Sequence, residues 1–117
     1  MLLKDKKLAF LDVETTGLSP LCGDCICEVA ILSCNGGEIE NEFSSLINPR
    51  IPVSPGAYAV NRISENMLRR APLFSEVAMD ILKLLKDRII VCHNAGFDLG
   101  FLEHLKPCAQ VFQFFLE

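Results

Sequence analysis

Phe10-Leu11-Asp12-Val13-Glu14-Thr15-Thr16-Gly17 is an apolar, strand-like run that ends in two acids spaced two residues apart. On a β-strand, residues i and i+2 share a face, so both carboxyls point the same way with Cβ atoms roughly 6–7 Å apart. Carboxylates that close repel each other unless a cation stands between them. An apolar strand is also a costly place to bury an acid without a partner. The pattern points to a divalent-metal site at the end of a central strand. A second stretch, His93-Asn94-Ala95-Gly96-Phe97-Asp98, adds a third acid directly after another apolar run, Arg88 to Cys92.

The elements follow outward from there. Lys7 to Val13 reads as a strand, and Gly17-Leu18-Ser19-Pro20 with Gly23-Asp24 marks a loop. Cys25 to Cys34 reads as a buried strand, Asn35-Gly36-Gly37 as a hairpin turn, and Glu38 to Ile47 as the partner strand. The first three elements are thus expected to form an antiparallel meander. Asn48 to Pro55 contains three prolines and reads as an irregular crossing. Ser64 to Arg70 suits a short helix capped by Ser64. Pro72 opens a longer helix through Lys86, with Phe74, Val77, Ala78, Ile81, Leu82 and Leu85 on one apolar face. Arg88 to Cys92 is a short strand, Asn94 to Lys106 a helix stopped by Pro107, and Gln110 to Glu117 one further strand. The order β-β-β-α-β-α predicts an α/β layer fold on a mixed sheet.

A chain of 117 residues, half apolar and 22% charged, is expected to form one folded domain over residues 1–117. It carries no apolar stretch long enough to span a bilayer and no signal-peptide pattern, so a cytoplasmic address and no membrane partner are expected. The net charge of −4 argues against a simple DNA-binding module. It does not argue against a nuclease, in which bound divalent ions meet the phosphate. Arg69-Arg70 and Lys4, Lys6 and Lys7 form the small basic groups and read as solvated faces. The six cysteines are expected as reduced thiols. Cys22-x-x-Cys25-x-Cys27 resembles half a zinc site, but Cys34 and Cys108 do not supply the second pair. Small buried hydrophobes are the favoured reading, with a structural zinc as the alternative.

Around the acids, Thr15, Thr16 and Gly17 offer hydroxyls and accessible backbone N–H groups suited to a nucleotide's sugar and phosphate. Asn94 serves equally well as a helix N-cap or as a substrate contact. Phe97, Phe101 and Leu102 are expected to bury their helix on the sheet and leave Asp98 facing the strand-one acids. His93, between strand and cap, reads as structural or hydrogen-bonding.

The two acidic motifs, extended to Leu18 and to Val91 through Leu102, resemble the DnaQ-like 3′–5′ exonucleases of the DEDD superfamily, of the proofreading-subunit type of bacterial DNA polymerase III. Pro55 to Ser64 and Ala71 to Val77 are similar to the family's middle, so the likeness runs from about residue 6 to 106. It implies an RNase H-like mixed sheet with flanking helices and a two-metal mechanism. In that mechanism Asp12 bridges two Mg²⁺ or Mn²⁺ ions, Glu14 holds the one that activates water, and Asp98 holds the other. Val13, Thr15, Thr16, Gly17 and Leu18 line the pocket for the 3′-terminal nucleotide, with Asn94 beside it. The implied substrate is a single-stranded DNA 3′ end, with RNA as an alternative and a polymerase subunit as a possible partner.

Three features depart from the family. Its fourth acid and His or Tyr base have no counterpart, since no Asp follows Asp98, and His104, six residues on, lies roughly 240° around a helix. The expectation is a domain lacking the C-terminal motif segment, with catalysis weakened roughly 10²–10⁴-fold by loss of the base. Asn61-Arg62 stands where many relatives carry His-Gly, and Cys25 and Cys27 replace commoner strand residues. Three readings follow: a truncated or frameshifted exonuclease domain whose activity is weak or absent, a non-catalytic remnant that binds nucleotide, metal or polymerase, and a cysteine-rich zinc protein with coincidental acids.

Overall fold

The computed structural model describes residues 5–103. Strand β1 (Lys7–Thr15) alternates: Ala9, Leu11, Val13 and Thr15 are buried on one face, and Phe10, Asp12 and Glu14 stand on the other. β2 (Ile26–Asn35) pairs antiparallel along its whole length, from Lys7 opposite Asn35 to Thr15 opposite Ile26. β3 (Glu38–Leu46) continues the meander. Gly36 and Gly37 join them at φ 59° and 86°, the left-handed values that a tight two-residue hairpin requires and glycine adopts without strain. β4 (Ile89–Val91) runs parallel to β1 with Val91 opposite Phe10, giving the order β3-β2-β1-β4. The expected α/β architecture and mixed sheet are both present.

The helices add to the expected order. α1 (Pro55–Asn61) begins at the last residue of the expected irregular crossing and otherwise lies in residues 56–63, to which the sequence pattern assigns no element. Its signals are legible: the Ser54 hydroxyl accepts from the Ala57 N–H at 3.1 Å, and Pro55 occupies the first helical position. α1 ends at Arg62, whose φ of 59° suits glycine better than arginine, and whose guanidinium lies 5.7 Å from the Tyr58 ring centroid. α2 (Glu65–Leu68) is shorter than expected, though Ser64 caps it. α3 (Phe74–Leu85) starts two residues after Pro72 rather than at it. Its Phe74, Ala78, Ile81, Leu82 and Leu85 form the core with Leu11, Val13, Val29 and Ile31 of the sheet.

α4 (Ala95–Glu103) follows β4 and buries Phe101 and Leu102 in the same core, with Phe97 packed against Phe101 at 4.9 Å between ring centroids. The position of β4 is fixed by Arg88. Its guanidinium donates to the carbonyls of Cys34 (2.8 Å) and Leu8 (3.4 Å) and pairs with Glu40 at 2.6 Å. One side chain thus ties β4 to the three other strands, and through β4 it sets where α4 begins. The strand expected over Gln110 to Glu117, the helix end at Pro107, and His104 lie outside the described residues. No helix among the described residues is long and apolar enough to cross a membrane.

Candidate active site

The acids meet where β1 ends. Asp12 and Glu14 share one sheet face, as their spacing predicts, and across the ladder Glu14 stands directly opposite Glu28. α4 brings in Asp98 from the side, buried at 5% exposure. The charges act on one another. Burial first, then Asp12, Glu28 and Asp98, raise the Glu14 carboxyl above the ordinary range. Burial and Asp12 raise Asp98, eased in part by the Cys92 thiol donating to it and by His93. Cys92 is itself pushed up to about 11 by burial and by Asp98 and Asp12. Among the described residues the one ion pair is Arg88 with Glu40, so none of these acids is neutralised by a lysine or arginine of that set.

This donor set fits a divalent cation by charge and by chemistry. Asp12, Glu14 and Asp98 act on one another's charge with no lysine or arginine paired to them among the described residues, and hard oxygen ligands favour Mg²⁺ or Mn²⁺ over zinc. The described residues do not preform a cage: no three His, Cys, Asp or Glu side chains among them stand close enough together to hold an ion. The same holds for the cysteines. Cys27 and Cys34 are buried as expected of small hydrophobes, whereas Cys22 is exposed and Cys25 half-buried in the loop. Burial, Glu14 and Glu28 push the Cys27 thiol up to about 12, the range of an inert neutral group.

Beside Glu14 opens a cleft of about 600 Å³ lined by β1, α1 and α4. Val13, Glu14, Thr15, Gly17 and Leu18 line it, together with Asp24, Ala57, Val60, Asn61 and Phe97. Leu18 and Val60 are 85% and 83% exposed, so two aliphatic side chains stand free at the mouth. The α1 residues carry no sequence signal for a binding role; the Ser54-Pro55 helix start is the clue that would have placed them. Asn61 pins α1 to the strand, donating to the Thr15 carbonyl at 3.2 Å and accepting from the Ile63 N–H at 3.0 Å.

Thr15 and Thr16 have separate positions. The Thr15 hydroxyl donates to the Gly17 carbonyl at 2.6 Å at the cleft wall. Thr16 is fully buried, and its hydroxyl donates to Asp24 (3.1 Å) while accepting from the Cys25 N–H (3.0 Å). Its N–H and carbonyl are taken by Cys25 and Ser54. Each polar group of Thr16 thus has a partner inside the protein, and Thr16 is not part of the cleft lining. Asp24 also accepts from the Ser19 N–H at 3.1 Å and lies against Gly17, where any Cβ would run into its carboxyl. Asn94 caps α4, accepting from the Phe97 N–H at 3.3 Å, and is not part of the cleft lining. His93 is exposed, on the open sheet face with Phe10 and Asp12.

The family described as RNase_T: Exonuclease matches residues 9–106. The chain belongs to this exonuclease family. It is a 3′–5′ exonuclease domain of the DEDD type, a family of phosphodiester hydrolases that typically use divalent metals. Over 101 residues it is 41% identical to a DNA polymerase III PolC-type protein of Bacillus subtilis (strain 168), covering 86% of this chain and 7% of that protein. Over 95 residues it is 38% identical to a 3′–5′ exonuclease DinG of Staphylococcus haemolyticus (strain JCSC1435), covering 81% of this chain and 10% of that one. The chain thus spans a tenth or less of the length of these curated relatives. Among solved structures, exonuclease X in complex with 5′ overhanging duplex DNA superposes with a TM-score of 0.68 at 34% identity, over 80% of this chain and 52% of that one. Apo exonuclease I, at 20% identity and a TM-score of 0.73 over 83% of this chain and 23% of its own, shares the fold.

Proposed function

We propose that this exonuclease domain removes 3′-terminal nucleotides from single-stranded DNA, in the manner of a polymerase proofreading domain, with Asp12, Glu14 and Asp98 holding two divalent cations. The observation that carries the reading is that Glu14, which shares a strand face with Asp12 and feels the charge of Asp98, lines a nucleotide-sized cleft with no lysine or arginine ion-paired to it among the described residues. Bound there, Mg²⁺ or Mn²⁺ would supply the positive charge that draws a phosphate to an acidic site and polarises water. The chain's own residues do the rest. Leu18, Val60, Ala57 and Phe97 offer apolar surface to a base, and the backbone of Thr15 and Gly17 borders the sugar. Asn61 and the Asp24–Thr16 contact hold the two walls of the cleft at fixed separation.

DNA is favoured over RNA by the PolC-type relative, whose name places it in a DNA polymerase. A polymerase subunit is accordingly the protein partner we propose. The test is release of the 3′-terminal nucleotide from single-stranded DNA in excess Mn²⁺, compared with Asp12→Ala after both are shown to be folded by circular dichroism. Release that vanishes in Asp12→Ala is the expected result. A folded chain that neither releases a nucleotide nor binds the product thymidine 5′-monophosphate overturns the reading.

A further inference from the structure

The nuclease reading requires an acidic protein to hold a polyanion, and the metal site answers only for the terminal phosphate. The rest of the strand needs positive surface. Four of the chain's five arginines, Arg50, Arg62, Arg69 and Arg70, fall between residues 48 and 72, where Glu65 is the single acid. This segment is net +3 in a chain of net −4. The fold brings Arg50 and Arg69 into one groove, with Arg70 next to Arg69 just past α2 and Arg62 at the end of α1.

All four arginines are exposed, and none is ion-paired with a described residue. Arg50 and Arg69 line one groove of about 290 Å³ with Pro49, Ile51, Pro52 and Leu68. Arg62 lies at the C-terminus of α1 over Tyr58, which lines a second hollow with Val53, Pro55 and Ile63. The two hollows meet at Glu65, whose carboxyl is occupied in accepting from the Val53 N–H at 3.3 Å. On its other side α1 presents Ala57, Val60 and Asn61 to the nucleotide cleft. Between the cleft and the arginine groove lie α1, about 10 Å long, and the Tyr58 hollow that joins the groove at Glu65. Arg50 and Arg62 both hold left-handed backbone, at φ 59° each, a conformation that disfavours a side chain.

We propose that Arg50, Arg62, Arg69 and Arg70 form the track that binds the phosphate backbone of a single-stranded polynucleotide whose 3′ end occupies the cleft. The proposal takes its direction from the nuclease reading, since only that reading places a 3′ end beside Glu14. Guanidinium groups suit the task because each offers a planar fork of donors to phosphate oxygens. The contacts carry no base preference, which matches an enzyme that works along a strand of any sequence.

The test is fluorescence anisotropy of a labelled single-stranded DNA of about twelve nucleotides, read against salt concentration, with Ca²⁺ in place of Mg²⁺ to limit hydrolysis. Each lost phosphate contact lowers the slope of log affinity against log salt by about 0.7. Arg69→Glu/Arg70→Glu is expected to lower the slope by about 1.4 and weaken binding roughly 10- to 100-fold. Lys83→Glu/Lys86→Glu, the same charge change on exposed positions at the end of α3, is expected to shift affinity less than about twofold. Thymidine 5′-monophosphate binding is expected to be unchanged in both, which also reports that they are folded. Equal loss in the two double variants, or none in the arginine one, overturns the track and leaves the cleft reading standing. Oligonucleotide binding through the arginines by a chain that ignores the mononucleotide overturns the cleft reading and leaves the track.

Discussion

The two faces of β1 are built to opposite ends. Toward α3 the strand shows Leu11 and Val13, closed over by Ile81, Leu82 and Leu85. Toward the other side the same residues' neighbours, Asp12 and Glu14, stand among Glu28 and Asp98, with their repulsion eased only at Asp98, in part, by Cys92 and His93. One face maximises burial, and the other holds like charges together at a cost to the fold. A strand selected for stability alone would not carry both. The acidic face is explained by something positive that arrives from outside, and the apolar face is what keeps the strand in place until it does.

Breaking the apolar face should have the largest effect. Ile81→Ala, at a fully buried position, is expected to cost about 2–5 kcal/mol in urea unfolding. Breaking the acidic face should do the reverse to the metal-free chain. Asp12→Asn removes a repelling charge, so the variant is expected to unfold at an equal or higher temperature than the parent. It should also lose the stabilisation that Mn²⁺ gives the parent, about 2.7 kcal/mol at a hundredfold excess over the dissociation constant. Thermal melts with and without Mn²⁺ read both quantities.

Gly17→Ala sharpens the boundary between the faces. A Cβ there runs into Asp24, the residue that locks Thr16 and Ser19, and the forced shift is expected to cost about 1–3 kcal/mol and weaken mononucleotide binding. Acidity tests the repulsion directly. Glu14 and Asp98 titrate above their ordinary values of 4.5 and 3.8, so the folded chain binds those protons more tightly than the unfolded one. Their cost is fully present at neutral pH and is relieved as pH falls through the range just above those ordinary values. The metal-free melting temperature is expected to rise on acidification into that window, and the rise should flatten when Mn²⁺ is bound. The smallest effect belongs to Glu28→Gln, which removes one of two acids facing each other across the ladder and should stabilise the metal-free fold by about 0.5 kcal/mol.

Much of this was legible in the sequence, for physical reasons that differ by element. The Asp12–Glu14 spacing fixes a shared face on any strand, and Asn35-Gly36-Gly37 permits little but a hairpin, so the meander could be read directly. α3 announces itself by apolar spacing over twelve residues. α1 does not, because Pro55 to Asn61 is short and its Tyr58 and Val60 stay exposed; only its cap marks it. The role of Thr16 was hidden for another reason. A threonine beside two acids reads as a ligand for substrate, and only the return of the chain at Asp24 and Cys25 shows where its hydroxyl goes. The arginine track is a tertiary feature altogether, since Arg50 and Arg69 meet across nineteen residues of sequence.

The central claim is that the acids of β1 and α4 share a divalent cation. Titrating Mn²⁺ into the ¹⁵N-labelled chain and following paramagnetic loss of amide signals tests it directly. The account predicts that signals of Asp12, Glu14, Glu28 and Asp98 fade first, at the lowest Mn²⁺, and persist in Asp12→Asn. Earliest loss at the acids of β3, Glu38, Glu40 and Glu42, with the β1 end unaffected, would contradict it.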